Sequence, residues 1–331
     1  MIYDNKTAER SLKMRSIKKF RAEPFLQLAL LLVLLAEFSA VKTKKPEGVG
    51  PHEDYGARAE IVLKDIPYAQ AVPGAEKLKL DVYSNPHQGL WPTVVMIHGG
   101  AWIGGDKSMD NKVYICQVLA KNGYVAFNIN YRLAPDFPIK LQVEDCLAAL
   151  LWIKEHGREY GADPERIAVV GGSAGGHLAA LLAWNPQDPW FIPTGQEQTA
   201  AIPRLKAAAL YYPVIDLDLT LKQNAGAFDW LAHLLFTGEI GKTYMRQLEH
   251  ISPVKFIKPD NPPTLFLTGD ADELHLYPQS RDAAQELKQL GVDSQLFTAA
   301  GKKHGFTWQY WDQATVESAQ AVVSFFDKYL K

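Results

Sequence analysis

A chain of 331 residues that is 47% hydrophobic and 22% charged has an ordinary globular profile, long enough for one large α/β domain with a substantial core. Its formal net charge of -2 leaves no positive excess to hold nucleic acid. The cysteines, Cys116 and Cys146, cannot make a disulfide framework, and both fall in predicted helices, where free buried thiols are expected.

The N-terminus is unlike the rest. Lys13, Arg15, Lys18, Lys19 and Arg21 form a basic stretch, followed by the leucine-rich run Phe25 to Ala36 and small residues at Ser39 and Ala40. A charged segment, a short apolar core and small residues after it describe a secretory signal. Phe38 sits where a cleavage site prefers a small residue, so an uncleaved signal anchor is the alternative. Residues 1–41 are therefore expected to export the chain, to the periplasm or beyond, or to attach it to a membrane. A start at Met14 would give a signal of normal length. Residues 42–58, rich in Lys, Gly and Pro, read as a linker, and the domain is expected to run from 59 to 331.

Ile61 to Ile66 and Leu78 to Tyr83 alternate apolar with polar and predict an antiparallel hairpin at a sheet edge. Thr93 to Ile97 is a continuous apolar run, a central strand ending in His98-Gly99-Gly100-Ala101-Trp102. A helix over Asn111 to Asn122, a strand over Tyr124 to Asn130 and a long helix over Ile139 to His156 follow. Asp163-Pro164 reads as the turn into the strand Arg166 to Val170. A helix is predicted over His177 to Ala183, a strand over Ala207 to Tyr212, and helices over Phe228 to Leu235 and Lys242 to His250. The closing elements are a strand at Thr264 to Thr268, a helix at Gln279 to Leu290, a strand at Asp293 to Thr298 and a helix at Gln313 to Tyr329. Such alternation implies an α/β fold with a mostly parallel central sheet and helices on both faces. Residues 216–258 interrupt the rhythm and read as a small cap insertion.

Between the strand at 166–170 and the following helix lies Gly171-Gly172-Ser173-Ala174-Gly175-Gly176. A Gly-x-Ser-x-Gly run arises by chance in roughly one chain in ten of this length, so its weight comes from its flanks. Strand, glycine-bounded turn and helix are the parts of a nucleophile elbow, which lifts a serine oxygen out of the sheet. Gly171 and Gly175 fall where a Cβ would collide with neighbouring backbone.

An activated Ser173 needs a base, a group to orient that base, and donors for an oxyanion. The base expected is His304, in a glycine-flanked loop after the last strand. The acid expected is Asp272, after the strand at 264–268, with Asp270 and Glu273 as rivals. The oxyanion donors expected are backbone N–H groups of Gly99, Gly100, Ala101 and Ala174. His98 is expected to pin its loop by hydrogen bonding, and Trp102 to be either a substrate-pocket wall or core. Such a base works only when neutral, so activity is expected to rise with pH as it loses its proton. Gly100 to Ser108 falls one insertion away from a phosphate-binding loop, but Asp106 separates the second glycine of that motif from Lys107 and puts a negative charge where phosphate would lie. No zinc-type spacing appears, and neither metal nor cofactor is expected.

These motifs together resemble the α/β-hydrolase superfamily, more narrowly the hormone-sensitive-lipase-like carboxylesterases and their feruloyl-esterase-like bacterial members. The matching pieces are H-G-G-A-W at 98–102, Y-R-L-A-P at 131–135, G-G-S-A-G-G at 171–176, S-P at 252–253, P-P-T-L-F-L-T-G-D-A-D at 262–272 and H-G-F at 304–306. The resemblance runs from about residue 60 to the end and implies an α/β-hydrolase fold. It also implies Ser173 as nucleophile, Asp272 as acid and His304 as base, with Tyr131 and Arg132 as structural support. The activity implied is cleavage of small carboxylic esters through an acyl-enzyme. Ala101 departs from the lipase pattern, where a third glycine is common. The motif H-G-G-x-W is shared with arylformamidases and prenylcysteine methylesterases, which stand as alternatives beside a catalytically idle binding protein.

Overall fold

The computed structural model describes residues 59–70, 72–86, 88–192, 202–224, 231–232, 235–236 and 242–331. The expected signal or anchor at 1–41, the linker at 42–58 and most of the helix expected at Phe228 to Leu235 lie outside the described residues. Among the described residues, no helix is long and apolar enough to cross a membrane.

Among the described residues, eight strands form one sheet: β1 (Ile61–Pro67), β2 (Lys79–Ser84), β3 (Trp91–Ile97), β4 (Val125–Ile129), β5 (Ala162–Gly172), β6 (Ala207–Tyr211), β7 (Thr264–Gly269) and β8 (Ser294–Ala299), in the order β1-β2-β4-β3-β5-β6-β7-β8. β1 and β2 form the antiparallel edge, and from β4 to β8 every pairing is parallel. The helices between them are α1 (Asp110–Lys121), α2 (Ile139–His156), α3 (Ala174–Trp184), α4 (Leu217–Gln223), α5 (Lys242–Ile251), α6 (Leu276–Gln289) and α7 (Gln313–Leu330).

The central strands are buried on both faces, which is why they read as unbroken apolar runs, whereas the edge strand β1 is exposed. Successive residues of β3 enter opposite cores. Val95 and Ile97 pack with α2, α3 and α6, whereas Val94 and Met96 pack with α1 and α7. Cys116 on α1 and Cys146 on α2 are free and buried, one in each core.

The observed elements differ from expectation mostly at their ends. β5 begins at Ala162, not Arg166, because Asp163-Pro164 belongs to the strand. Pro92 pairs with Asp163 and Thr93 with Ile167, so the register shift between them takes up the intervening residues as an irregularity in the ladder. α3 begins at Ala174, directly after Ser173, and His177 lies a turn inside it. Of the expected cap at 216–258, the elements with described bounds are α4, α5 and the 3-10 turn Pro253–Phe256, and Leu231, Leu235 and Phe236 are buried.

Candidate active site

The carboxyl ends of the parallel strands carry the loops that meet here. Ser173 stands between β5 and α3 with φ 58° and ψ -122°, a strained conformation for a residue with a Cβ. The turn is closed around it by backbone contact. A Cβ on Gly171 would lie 2.2 Å from the Gly175 carbonyl oxygen, and one on Gly175 would lie 2.3 Å from that of Ile97. Glycine at both positions therefore lets α3 start tight against β5 and the end of β3. The Ser173 N–H donates to the Tyr211 carbonyl at 2.9 Å, which ties the elbow to β6.

The residues singled out at 173, 272 and 304 come together. Ser173 Oγ lies 2.9 Å from His304 Nε2, and His304 Nδ1 lies 2.9 Å from Asp272 Oδ2. A carboxylate only accepts, so Nδ1 carries the ring proton and Nε2 is left as the acceptor for the serine hydroxyl. The Asp272 side chain is fully buried and that of His304 is 14% exposed. Both rivals to Asp272 are used elsewhere in the same turn. Asp270 Oδ1 accepts the Gly301 N–H at 2.6 Å, and Glu273 Oε2 accepts the His304 backbone N–H at 3.0 Å. Asp272 is bonded to the ring, while its neighbours are bonded to the backbone of the loop that carries it.

The loop after β3 lies directly on the elbow. A Cβ on Gly99 would stand 2.6 Å from the Gly172 carbonyl oxygen and 3.3 Å from Ser173 Cβ. Gly100, Ala101 and Trp102 all have positive φ, at 131°, 51° and 62°, so the backbone winds with an unusual left-handed bias. The Gly100 carbonyl accepts from Ile103 and Gly104, closing the curl. Ala174 opens α3, where the first N–H groups have no partner within the helix.

His98 pins this loop as expected. Its Nδ1–H donates to the Gly99 carbonyl at 2.8 Å, and its ring stacks on Tyr131 at 4.3 Å. Tyr131 in turn donates its hydroxyl to the His98 carbonyl. Arg132 forks onto Asp145 of α2 with bonds of 2.6 to 3.0 Å, all buried. Burial lowers the pKa of His98 to about 4, so its ring is neutral. Trp102 is 2% exposed and packed in the core, so it offers no open face to a ligand.

Three features went unseen in the sequence. His177, in α3, accepts from Trp102 Nε1 at 3.3 Å and donates from Nε2 to the Ile251 carbonyl at 2.6 Å, joining the β3 loop to the end of α5. Burial lowers its pKa to about 4. Tyr212, just past β6, meets the His304 ring edge-on at 4.9 Å and shares a hydrogen bond with Thr307. Lys112 is buried beside Gly172. No local signal marked any of them. Lys107, the lysine of the phosphate-loop look-alike, is bound to Asp65 at 2.9 Å and Asp81 at 2.7 Å on the edge strands, which leaves it unavailable to a phosphate.

The BD-FAE family model matches residues 80–287. Esterase LipQ of Mycobacterium tuberculosis is 29% identical over 253 residues, covering 75% of this chain and 56% of LipQ. The probable carboxylic ester hydrolase LipM of the same organism is 34% identical over 214 residues, covering 64% of this chain and 49% of LipM. The chain thus spans about half the length of these curated relatives. Among solved structures, esterase B of Lactobacillus rhamnosis inhibited by a tributyrin phosphonate superposes with a TM-score of 0.69 at 25% identity, over 92% of this chain and 95% of that one.

Proposed function

The chain belongs to the BD-FAE family, and from that premise we propose that it is a serine hydrolase of carboxylic esters. The observation that carries the reading is the pair of 2.9 Å contacts linking Ser173, His304 and Asp272 at the elbow. The names of its relatives, an esterase and a probable carboxylic ester hydrolase, support the same class.

In this reading Ser173 Oγ attacks the ester carbonyl carbon while its proton passes to His304 Nε2. Asp272 holds the ring tautomer and stabilises the imidazolium. The oxyanion takes hydrogen bonds from N–H groups of the Gly99 to Ala101 loop and of Ala174. The tetrahedral species expels the alcohol, which leaves with the proton from Nε2. Water then attacks the acyl-serine by the same route, freeing the acid and restoring the hydroxyl. No step requires a metal or cofactor.

The test is labelling with a fluorophosphonate, read by mass spectrometry, beside hydrolysis of p-nitrophenyl butyrate. The adduct is expected on Ser173, and Ser173→Ala is expected to lose both labelling and about 10⁴ or more of turnover while remaining folded. A Ser173→Ala protein with the parent's esterase rate would exclude the reading.

A further inference from the structure

α1 carries a lysine that its surroundings disfavour twice. Lys112 is 2% exposed, and burying an ammonium without a counterion is strongly unfavourable. It is also in the first turn of α1, at the positive end of the helix dipole, where a cation is again disfavoured.

Its place is specific. Lys112 Nζ stands 2.8 Å from where a Cβ on Gly172 would lie. Gly172 immediately precedes Ser173, which puts the ammonium within about 8 Å of the Ser173 Cα, since consecutive Cα atoms are about 3.8 Å apart. Glycine at 172 is what leaves room for it. The same point is 3.3 Å from the Tyr212 hydroxyl, and Tyr212 is the residue that meets the His304 ring edge-on. That hydroxyl is bonded to Thr307, which accepts from Asn111, the neighbour of Lys112. The ammonium therefore lies behind the elbow, on the same side of Gly172 as the Tyr212 that meets the histidine ring.

We propose that Lys112 is a positioning residue for the chemistry at Ser173: a fixed positive charge that favours the tetrahedral oxyanion over the neutral ester. The inference rests on the serine-hydrolase reading. A fixed, buried charge needs little reorganisation as the reaction proceeds, and it favours the oxyanion that forms at Ser173 over the neutral ester. No carboxylate among the described residues pairs with it, and Asp272, the buried carboxylate beyond Tyr212, is taken by His304 Nδ1 at 2.9 Å. Asp81 on β2 is taken by Lys107 at 2.7 Å, and Asp327 on α7 by the Tyr124 hydroxyl at 2.6 Å. His98 is neutral, and burial holds the Cys116 thiol and the Tyr83 and Tyr212 hydroxyls protonated. Burial lowers the pKa of Lys112 itself to about 8, so its charge is present at neutral pH and lost above that value.

The test is Lys112→Met, which keeps an unbranched side chain without the charge. Steady-state kinetics on p-nitrophenyl butyrate are measured with thermal unfolding and the pH dependence of kcat. The expected result is a kcat roughly tenfold lower with KM within about twofold. The unfolding midpoint is expected to be unchanged or raised, because an unpaired buried charge has been removed. The parent kcat is expected to fall as pH rises through about 8, and the variant to lack that decline. A folded variant with the parent's kcat overturns the inference, and so does a lowered midpoint with kcat and KM changing together. If the Met variant does not fold, the parent decides alone: a kcat flat from about pH 7 to about 9.5 overturns it. A parent idle on every ester overturns the hydrolase reading and this one with it. An active parent, a dead Ser173→Ala and an undiminished Lys112→Met overturn this one only.

Discussion

Glu273 accepts the backbone N–H of His304 at 3.0 Å, while Asp272 beside it takes the His304 ring at 2.9 Å. Adjacent carboxylates thus hold one histidine by different handles. Their substitution should have unequal effects. Asp272→Asn puts an amide against Nδ1 and favours the wrong tautomer, so kcat is expected to fall by about 10⁴. Glu273→Gln keeps an acceptor for the main chain, and kcat is expected to fall by less than about tenfold. Equal losses in kcat assays of the two folded variants would contradict this division of labour.

Gly99 is the point at which the β3 loop touches the elbow. Gly99→Ala would drive a Cβ to 2.6 Å from the Gly172 carbonyl oxygen. Backbone on both sides must then move, and the N–H groups of the loop proposed to hold the oxyanion move with it. We expect kcat/KM to fall by about 100-fold. Gly104→Ala is the control, since its Cβ would meet only the Gly100 carbonyl, at 3.8 Å, and its kcat/KM should stay within about twofold of the parent. Comparable activity in the two variants would show that the close approach is not needed.

His98 and His177 are buried and neutral, each with its pKa lowered by burial to about 4. In the unfolded chain an imidazole titrates near about 6.5. Between these values the unfolded state binds more protons, so acid favours unfolding. The stabilising contribution is complete above the unfolded value and is lost as pH falls toward the folded one. Each ring is expected to account for about 2 kcal/mol of stability lost between pH 7 and pH 5. Urea unfolding at the two pH values measures the sum, and His177→Gln should flatten the dependence. An unfolding free energy unchanged across this interval would mean that neither ring is held neutral.

Much of the architecture was written locally. α2 was expected over Ile139 to His156 and occupies those bounds, because its apolar period is unbroken and Gly157 follows. The elbow was legible because the turn requires glycine at 171 and 175, a demand visible in the residues themselves. The start of β5 was misread because Asp163-Pro164 has turn chemistry, and only pairing with Trp91 and Pro92 makes it strand.

The order of Ser173, Asp272 and His304 along the chain, and the residue types at those positions, were set before any folding was considered. Which carboxylate reaches the ring was not, since Asp270, Asp272 and Glu273 lie within one turn and differ only in where the backbone aims them. The same holds for Lys107, claimed by Asp65 and Asp81, and for Lys112, which reads as an ordinary helix-surface charge until β5 is laid beside it. Periodicity and turn chemistry act between neighbours and so survive in a string of letters. Hydrogen bonds such as that between Ser173 and His304, separated by 131 positions, depend on the sheet bringing its strand ends to one rim.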